Sequence, residues 1–134
     1  MEDIGKKILS AEKIELKKEK YIEHNYSVDI VYILSGVVQI DYYEFHHTYN
    51  DGDILIIPSG VTYSLTPTGV VSFIQIELDY SFSLDILGEF SGIVCDSKRE
   101  VDRDYIKLKN IVVTLYNEFA TNNEINTLML NSIL

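Results

Sequence analysis

The sequence predicts a mainly β domain, a closed barrel or sandwich of short antiparallel strands, followed by C-terminal amphipathic helices. Three observations predict it. Up to about Leu78 the chain is rich in Val, Ile, Tyr and Thr, in short runs parted by Gly, Asn, Asp and Pro, which is how half-buried strands and tight turns read. Beyond about Val94, Tyr105, Leu108, Val112, Leu115 and Phe119 recur at steps of three and four and so share one helix face. With 134 residues, 46% of them hydrophobic, and a mean hydropathy of +0.04, one domain can bury a core and stay in water.

In order along the chain, "MEDIGKK" reads as an N-terminal arm, and strands are expected near Lys13 to Tyr21, Asp29 to Ser35, Val37 to Tyr43, His46 to Tyr49, Ile54 to Pro58 and Val70 to Leu78. Ser35-Gly36, between two apolar runs, reads as a tight hairpin, and Asn50-Asp51-Gly52 supplies residues that tolerate positive φ. Strands this short at this spacing favour a closed barrel or sandwich. The charged segment "DSKREVDRD" then leads into the helical region, with Asp102 as its expected N-cap. Thr121-Asn122-Asn123 reads as a stop before a second helix through Ile125, Leu128 and Met129 that still runs at Leu134, so the chain is expected to be a piece of something longer. This divides it into residues 1–94, a barrel with its arm, and residues 95–134, a helical dimerisation segment.

Charge and cysteine usage narrow the function classes. A net charge of −10 and a pI of about 4.6 have the wrong sign for gripping phosphates, so neither nucleic acid nor an anionic membrane is an expected partner of this chain itself. The single cysteine, Cys95, excludes an intrachain disulfide and a cysteine-rich metal site. With no signal-like start, a reducing cytoplasm is the expected compartment. Apolar runs such as Ile54 to Ile57 are too short to cross a bilayer.

The stretch "GDILIIPSGVTY", residues 52–63, carries the most specific signal. It resembles the second conserved motif of the cupin superfamily, G(X)5PXG(X)2H(X)3N, with Gly52, Pro58 and Gly60 in place and Tyr63 where the motif has histidine. The first cupin motif, G(X)5HXH(X)3-4E(X)6G, lies over "YIEHNYSVDIVYILSG" with His24 on its second histidine, Asp29 on its glutamate, Gly36 on its closing glycine and Ile22 on its first histidine. The resemblance implies a cupin-like double-stranded β-helix, or jelly-roll, barrel. Cupins hold a metal at the four positions that read here Ile22, His24, Asp29 and Tyr63. An apolar residue and a phenol, whose ordinary pKa near 10 opposes ionisation, make a poor divalent site. No metal or other cofactor is therefore expected, and neither is an enzyme such as a metal-dependent isomerase or dioxygenase. His46 and His47 are adjacent and would point to opposite faces of a strand. Ser59 has no histidine and acid spaced to serve it as a nucleophile.

A barrel without metal ligands, followed by helices, is similar to the N-terminal sensing and dimerisation domain of AraC-type (AraC/XylS) transcriptional regulators. The phrases that carry the likeness are "DIVYILSG" after His24, "YNDGDILIIPSGVTY" and "VSFIQIEL". It implies a barrel that binds a small effector or a regulatory protein, helices that form a homodimer, and DNA binding only through a separate C-terminal domain. If the motif positions point inward, the effector pocket is Ile22, His24, Asp29 and Tyr63, and the period of two adds Val31 and Ile33. That lining suits a small organic molecule held by one or two hydrogen bonds. His24 and Asp29 could equally pair with each other and complete the core, and the Tyr63 ring could serve packing. Gln75 and Glu77 share the polar face of the last strand, which faces either solvent or pocket. The helical stripe offers a dimer interface of Leu108, Val112, Leu115, Tyr116 and Phe119, or a face that docks on its own barrel while Ile106, Ile111 and Val113 meet a partner. A stand-alone cupin binding protein is the alternative function.

Overall fold

The fold was obtained as a computed structural model that describes residues 8–23, 27–88, 94, 95 and 103–133, the side chains of 45, 94, 95, 103, 104 and 122–133 excepted. His24, Asp102 and the arm up to residue 7 lie outside the described residues. Among the described residues, seven strands and two helices follow in the order β1 (Ile8–Leu16), β2 (Lys20–Ile22), β3 (Val28–Tyr42), β4 (Phe45–Tyr49), β5 (Ile54–Ile57), β6 (Tyr63–Leu78), α1 (Tyr80–Leu87), β7 (Val94–Cys95) and α2 (Arg103–Ile133).

Two long strands, β3 and β6, pair antiparallel along their whole length and organise everything else. The first half of β3 and the second half of β6 lie in the order β1-β6-β3-β5-β7, while the other halves carry β4 and β2. Both half-sheets share this bent pair, which closes the jelly roll. The bend sits at Gly36 and Gly69, at φ +103° and +74°, where the register passes from Ser35↔Ser72 to Val37↔Thr68. A Cβ on Gly36 would lie 2.6 Å from the Val70 carbonyl oxygen, so glycine is required there on steric as well as dihedral grounds. Ser35-Gly36 is thus a kink within one strand and not the expected hairpin. The two-residue turn falls instead at Tyr43-Glu44, with Tyr43 at φ +51°.

Other boundaries move for local reasons. The expected strand from Lys13 to Tyr21 is two strands, each on a different half of β6. The stretch from Tyr63 to Gly69, with Pro67 inside it, lies outside the expected strands yet is strand. Pro67 is tolerated because β1 ends opposite Val71 and β2 begins opposite Leu65, leaving the stretch of the β6 edge between them without a described neighbour. The helix α1 was not expected: Asp79 caps it by accepting from the backbone N–H groups of Ser81 and Phe82. Thr121-Asn122-Asn123 does not stop the chain's last helix, which runs as one segment of 31 residues. β7 pairs with β5 across the expected boundary between residues 94 and 95.

Two apolar clusters make the core. Inside the barrel, Val31, Ile33, Val38, Ile40, Leu55, Ile57, Leu65, Val71 and Phe73 pack together. On the outer face of the larger half-sheet, Ile30, Ile54, Ile56, Ile74, Ile76 and Leu78 pack under α1 and α2. A half-sheet covered on both faces needs apolar residues in unbroken runs, which is why Ile54–Ile57 has no polar alternation. The helical stripe belongs to the second cluster: Tyr105, Leu108, Val112 and Leu115 are 0 to 3% exposed, and Tyr116 and Phe119 are half-buried against it. Of the expected dimer interface, Tyr116 and Phe119 remain half-buried, while Leu108, Val112 and Leu115 are fully enclosed by their own chain. These side chains are spent on the chain's own core, where each full burial is worth about 1.5–3 kcal/mol. The Tyr105 hydroxyl also donates to the Gly52 carbonyl at 2.5 Å, tying α2 to the turn before β5.

Candidate functional site

Asp29 stands on β3 between Val28 and Ile30, which face the helices, so the period of two turns its carboxylate into the barrel. Tyr63, the first residue of β6, reaches it from across the sheet, and its hydroxyl donates to Asp29 Oδ2 at 2.5 Å. Gln75, two residues after the interior Phe73, donates from Nε2 to the Tyr63 oxygen at 3.0 Å and, more weakly, to Asp29 Oδ2 at 3.4 Å. The Ser27 hydroxyl donates to Asp29 Oδ1 at 2.9 Å. All four residues are at most 5% exposed. A carboxylate so enclosed is stable only with donors on its oxygens, and this one has them on both. The short Tyr63 contact lies in the range of a charge-assisted hydrogen bond.

Electrostatics agree with a protonated phenol. Burial pushes the Tyr63 hydroxyl well above its ordinary value, and the charge and hydrogen bond of Asp29 push it further. Glu77 lies opposite Asp29 in the β3–β6 register and is half-buried. Its carboxyl is held above the usual range by burial first, then by Asp29 and Glu12, with Lys20 and the Ser10 hydroxyl acting the other way.

Of the expected pocket residues, the fold therefore brings together Asp29 and Tyr63, 34 positions apart. It places Val31 and Ile33 in the interior cluster and Ile22, half-buried, beside the same cluster and opposite Tyr63 in the β2–β6 register. His24 lies outside the described residues. Ser27 was not expected at the site, and Gln75 was left open between solvent and pocket. Gln75 was within reach of the period of two, since Val71 and Phe73 precede it on one face. What the sequence left open was whether that face met solvent or interior, and it meets the interior.

The cupin metal does not fit these residues. Asp29 has donors on both oxygens, Tyr63 is a neutral donor pointing at Asp29, Ile22 offers no ligand atom, and no metal-holding group of His, Cys, Asp and Glu occurs among the described residues. The two adjacent histidines are separated as expected: His46 Nδ1 lies 2.7 Å from Asp41 Oδ1 at the surface, while the His47 ring leans on Tyr49. Elsewhere, a groove of about 490 Å³ runs between α1 and α2, lined by Phe82, Ile86, Ile111 and Leu115 with Lys107 and Glu118 at its rim.

No family model matches the chain, and no curated protein matches it. Solved structures do. A Bacillus subtilis oxalate decarboxylase mutant superposes with TM-score 0.52 at 19% identity, over 61% of this chain and 24% of that one. A predicted oxalate decarboxylase from Thermotoga maritima gives 0.51 at 20% identity, over 56% and 70%. A cupin-2 domain protein from Shewanella frigidimarina gives 0.47 at 20% identity, over 51% and 68%. Only about a quarter of the Bacillus chain is spanned. At these identities the likeness concerns the fold alone, and with the strand order described above it is that of a cupin-type jelly-roll barrel.

Proposed function

We propose that this chain is the effector-sensing and dimerisation domain of an AraC-type transcriptional regulator, its barrel taking up a small molecule or a regulatory protein. The observation that carries the reading is the Asp29–Tyr63–Gln75 network, which stands where a catalytic cupin would present metal ligands. A site built of a satisfied carboxylate and a neutral phenol has no group poised for chemistry, but it can exchange an internal hydrogen bond for one to a ligand. The long helix packed on the barrel supports it too, since α2 lies against the outer face of the same half-sheet whose inner face carries Asp29 and Gln75.

In this reading the effector shifts the population between two arrangements of barrel and helix and so alters how linked DNA-binding units are presented. An effector that bound with the same affinity whether or not DNA was bound would sink the mechanism. The reading itself is tested by sequencing the coding region past Leu134: a basic segment with two helix-turn-helix patterns is expected, and an immediate stop codon would favour a stand-alone cupin binding protein. A metal-dependent cupin enzyme is the second reading, favoured only by the fold likeness to proteins described as oxalate decarboxylases. Stoichiometric metal on protein purified without added metal would restore it.

A further inference from the structure

We infer that the barrel mouth takes up a compact organic cation, a molecule carrying an ammonium or guanidinium group, on the acceptor-rich wall formed by Gln75, Glu77 and Glu12. This rests on the reading of the barrel as an effector site and names the chemical class of that effector. None of these three residues stands at a cupin motif position; strand register alone brings them together.

The β3–β6 and β1–β6 pairings fix which side chains share the interior face. Asp29, Glu77 and Ser10 stand in one row across β3, β6 and β1, and Val31, Gln75 and Glu12 stand in the next. Directly opposed residues project to the same side of a sheet. That side is the interior, because the following row holds Ile33, Phe73 and Ile14 of the interior cluster. Exposure falls along this wall: Glu12 is exposed, Glu77 and Ser10 are half-buried, and Gln75 and Asp29 are buried. The wall therefore leads from solvent into the barrel.

Two independent observations call for the same ligand chemistry. The first is at Gln75, which is 5% exposed. The Tyr63 hydroxyl has one proton and gives it to Asp29, so the Gln75 atom 3.0 Å from the Tyr63 oxygen must be the amide nitrogen. The amide oxygen is then left without a donor among the described residues. A buried acceptor in that state is costly and is relieved by a ligand that donates to it.

The second is the charge of the wall. Among the described residues no cation lies within ion-pair distance of Glu77 or Glu12. The carboxylates of Asp29 and Glu12 both act on Glu77, against the single ammonium of Lys20, which projects to the same interior face opposite Leu65. Negative charge thus stays in excess beside the orphaned oxygen. A neutral polyol would bring donors without relieving that charge, and an anion would be repelled; an ammonium or guanidinium group answers both needs. With strands about 4.8 Å apart and like-facing residues about 7 Å apart along one strand, the three acceptors span an area that one such group covers. No group of His, Cys, Asp and Glu among the described residues could hold a metal ion, so the donors are those of an organic molecule.

The test is a titration of the 134-residue chain with butylamine, butylguanidine and the neutral butanol, followed by amide chemical shifts in two-dimensional NMR. A cation is expected to shift the amides of Ser10, Glu12, Gln75 and Glu77 saturably, with a dissociation constant of about 1 mM for so small a molecule, while butanol leaves them unmoved. Which of the two cations binds more tightly tells ammonium from guanidinium. Glu77→Gln should weaken binding roughly tenfold and Glu12→Gln roughly threefold, whereas Lys20→Gln should strengthen it roughly threefold. Circular dichroism confirms that each variant folds, and Glu12 is exposed, so its exchange does not threaten the core. An equal response to butanol, no saturable shift with either cation at about ten times that concentration, or binding indifferent to Glu77→Gln and Glu12→Gln overturns the inference. Such a failure leaves the regulator reading standing, with an effector of another class, if helix-turn-helix patterns follow Leu134. Their absence would end that reading and leave the cation site to a stand-alone binding protein.

Discussion

Removing the hydroxyl of Tyr63 isolates the interior network at a single atom. Tyr63→Phe keeps the ring in the core but takes a donor from Asp29 and an acceptor from Gln75, and a buried polar group left short of a partner costs about 1–3 kcal/mol. Urea unfolding should show that loss, with the slope against denaturant unchanged. Gly36→Ala tests the kink: the added methyl meets the Val70 carbonyl in a backbone conformation alanine resists, so destabilisation above about 1 kcal/mol is expected in the same assay. The kink had a visible mark in the sequence, the closing glycine of the first motif. The Tyr63–Asp29 bond had only half of one. The motifs put both residues inside, but their contact depends on how far apart the walls of the barrel stand.

At the scale of elements, α1 depends on its cap and α2 on its buried stripe. Asp79→Ala removes the acceptor of two helix N–H groups and should cost about 1 kcal/mol, seen as faster amide exchange from residue 80 through residue 87. Leu108→Ala should destabilise the chain by about 2–5 kcal/mol. Because Leu108 is fully enclosed by its own chain, that loss should not vary with protein concentration, whereas an interface residue would give a concentration-dependent loss. The stripe itself was plain from its spacing. Which surface it meets was not, because a period of 3.6 shows that a helix has an apolar face and is silent on what covers it. α1 escaped notice because its eight residues contain four Ser, Tyr and Asp positions that read equally as a loop.

For the molecule as a whole, the acidic balance has one local expression with a definite pH dependence. The folded chain holds the Glu77 proton more tightly than the unfolded chain does, so the stability tied to that proton is complete below the ordinary value of 4.5 and is lost as pH rises through the raised folded value. Glu77→Gln should therefore stabilise the protein at neutral pH and do nothing in acid. The gain should be under about 1 kcal/mol, since Glu77 is only partly buried and solvent screens it. Thermal unfolding of both proteins across that range checks the sign. No helix among the described residues is long and apolar enough to cross a membrane.

What the sequence determined by itself was most of the strands, by alternation and by apolar runs, and the helical stripe, by its spacing. The barrel and the inward direction of Asp29, Val31, Ile33 and Tyr63 were implied by the resemblance of its glycine and proline frame to the cupin motifs. Only the tertiary structure decided which inward residues touch, that Gln75 completes the polar cluster, that Ser35-Gly36 bends a strand instead of ending it, and that α2 closes over its own barrel. The division has one physical cause. Backbone dihedrals and side-chain periodicity act between near neighbours and are written in sequence order, whereas hydrogen bonds and packing across a barrel join positions such as 29, 63 and 75 whose proximity exists only once β3 and β6 have paired.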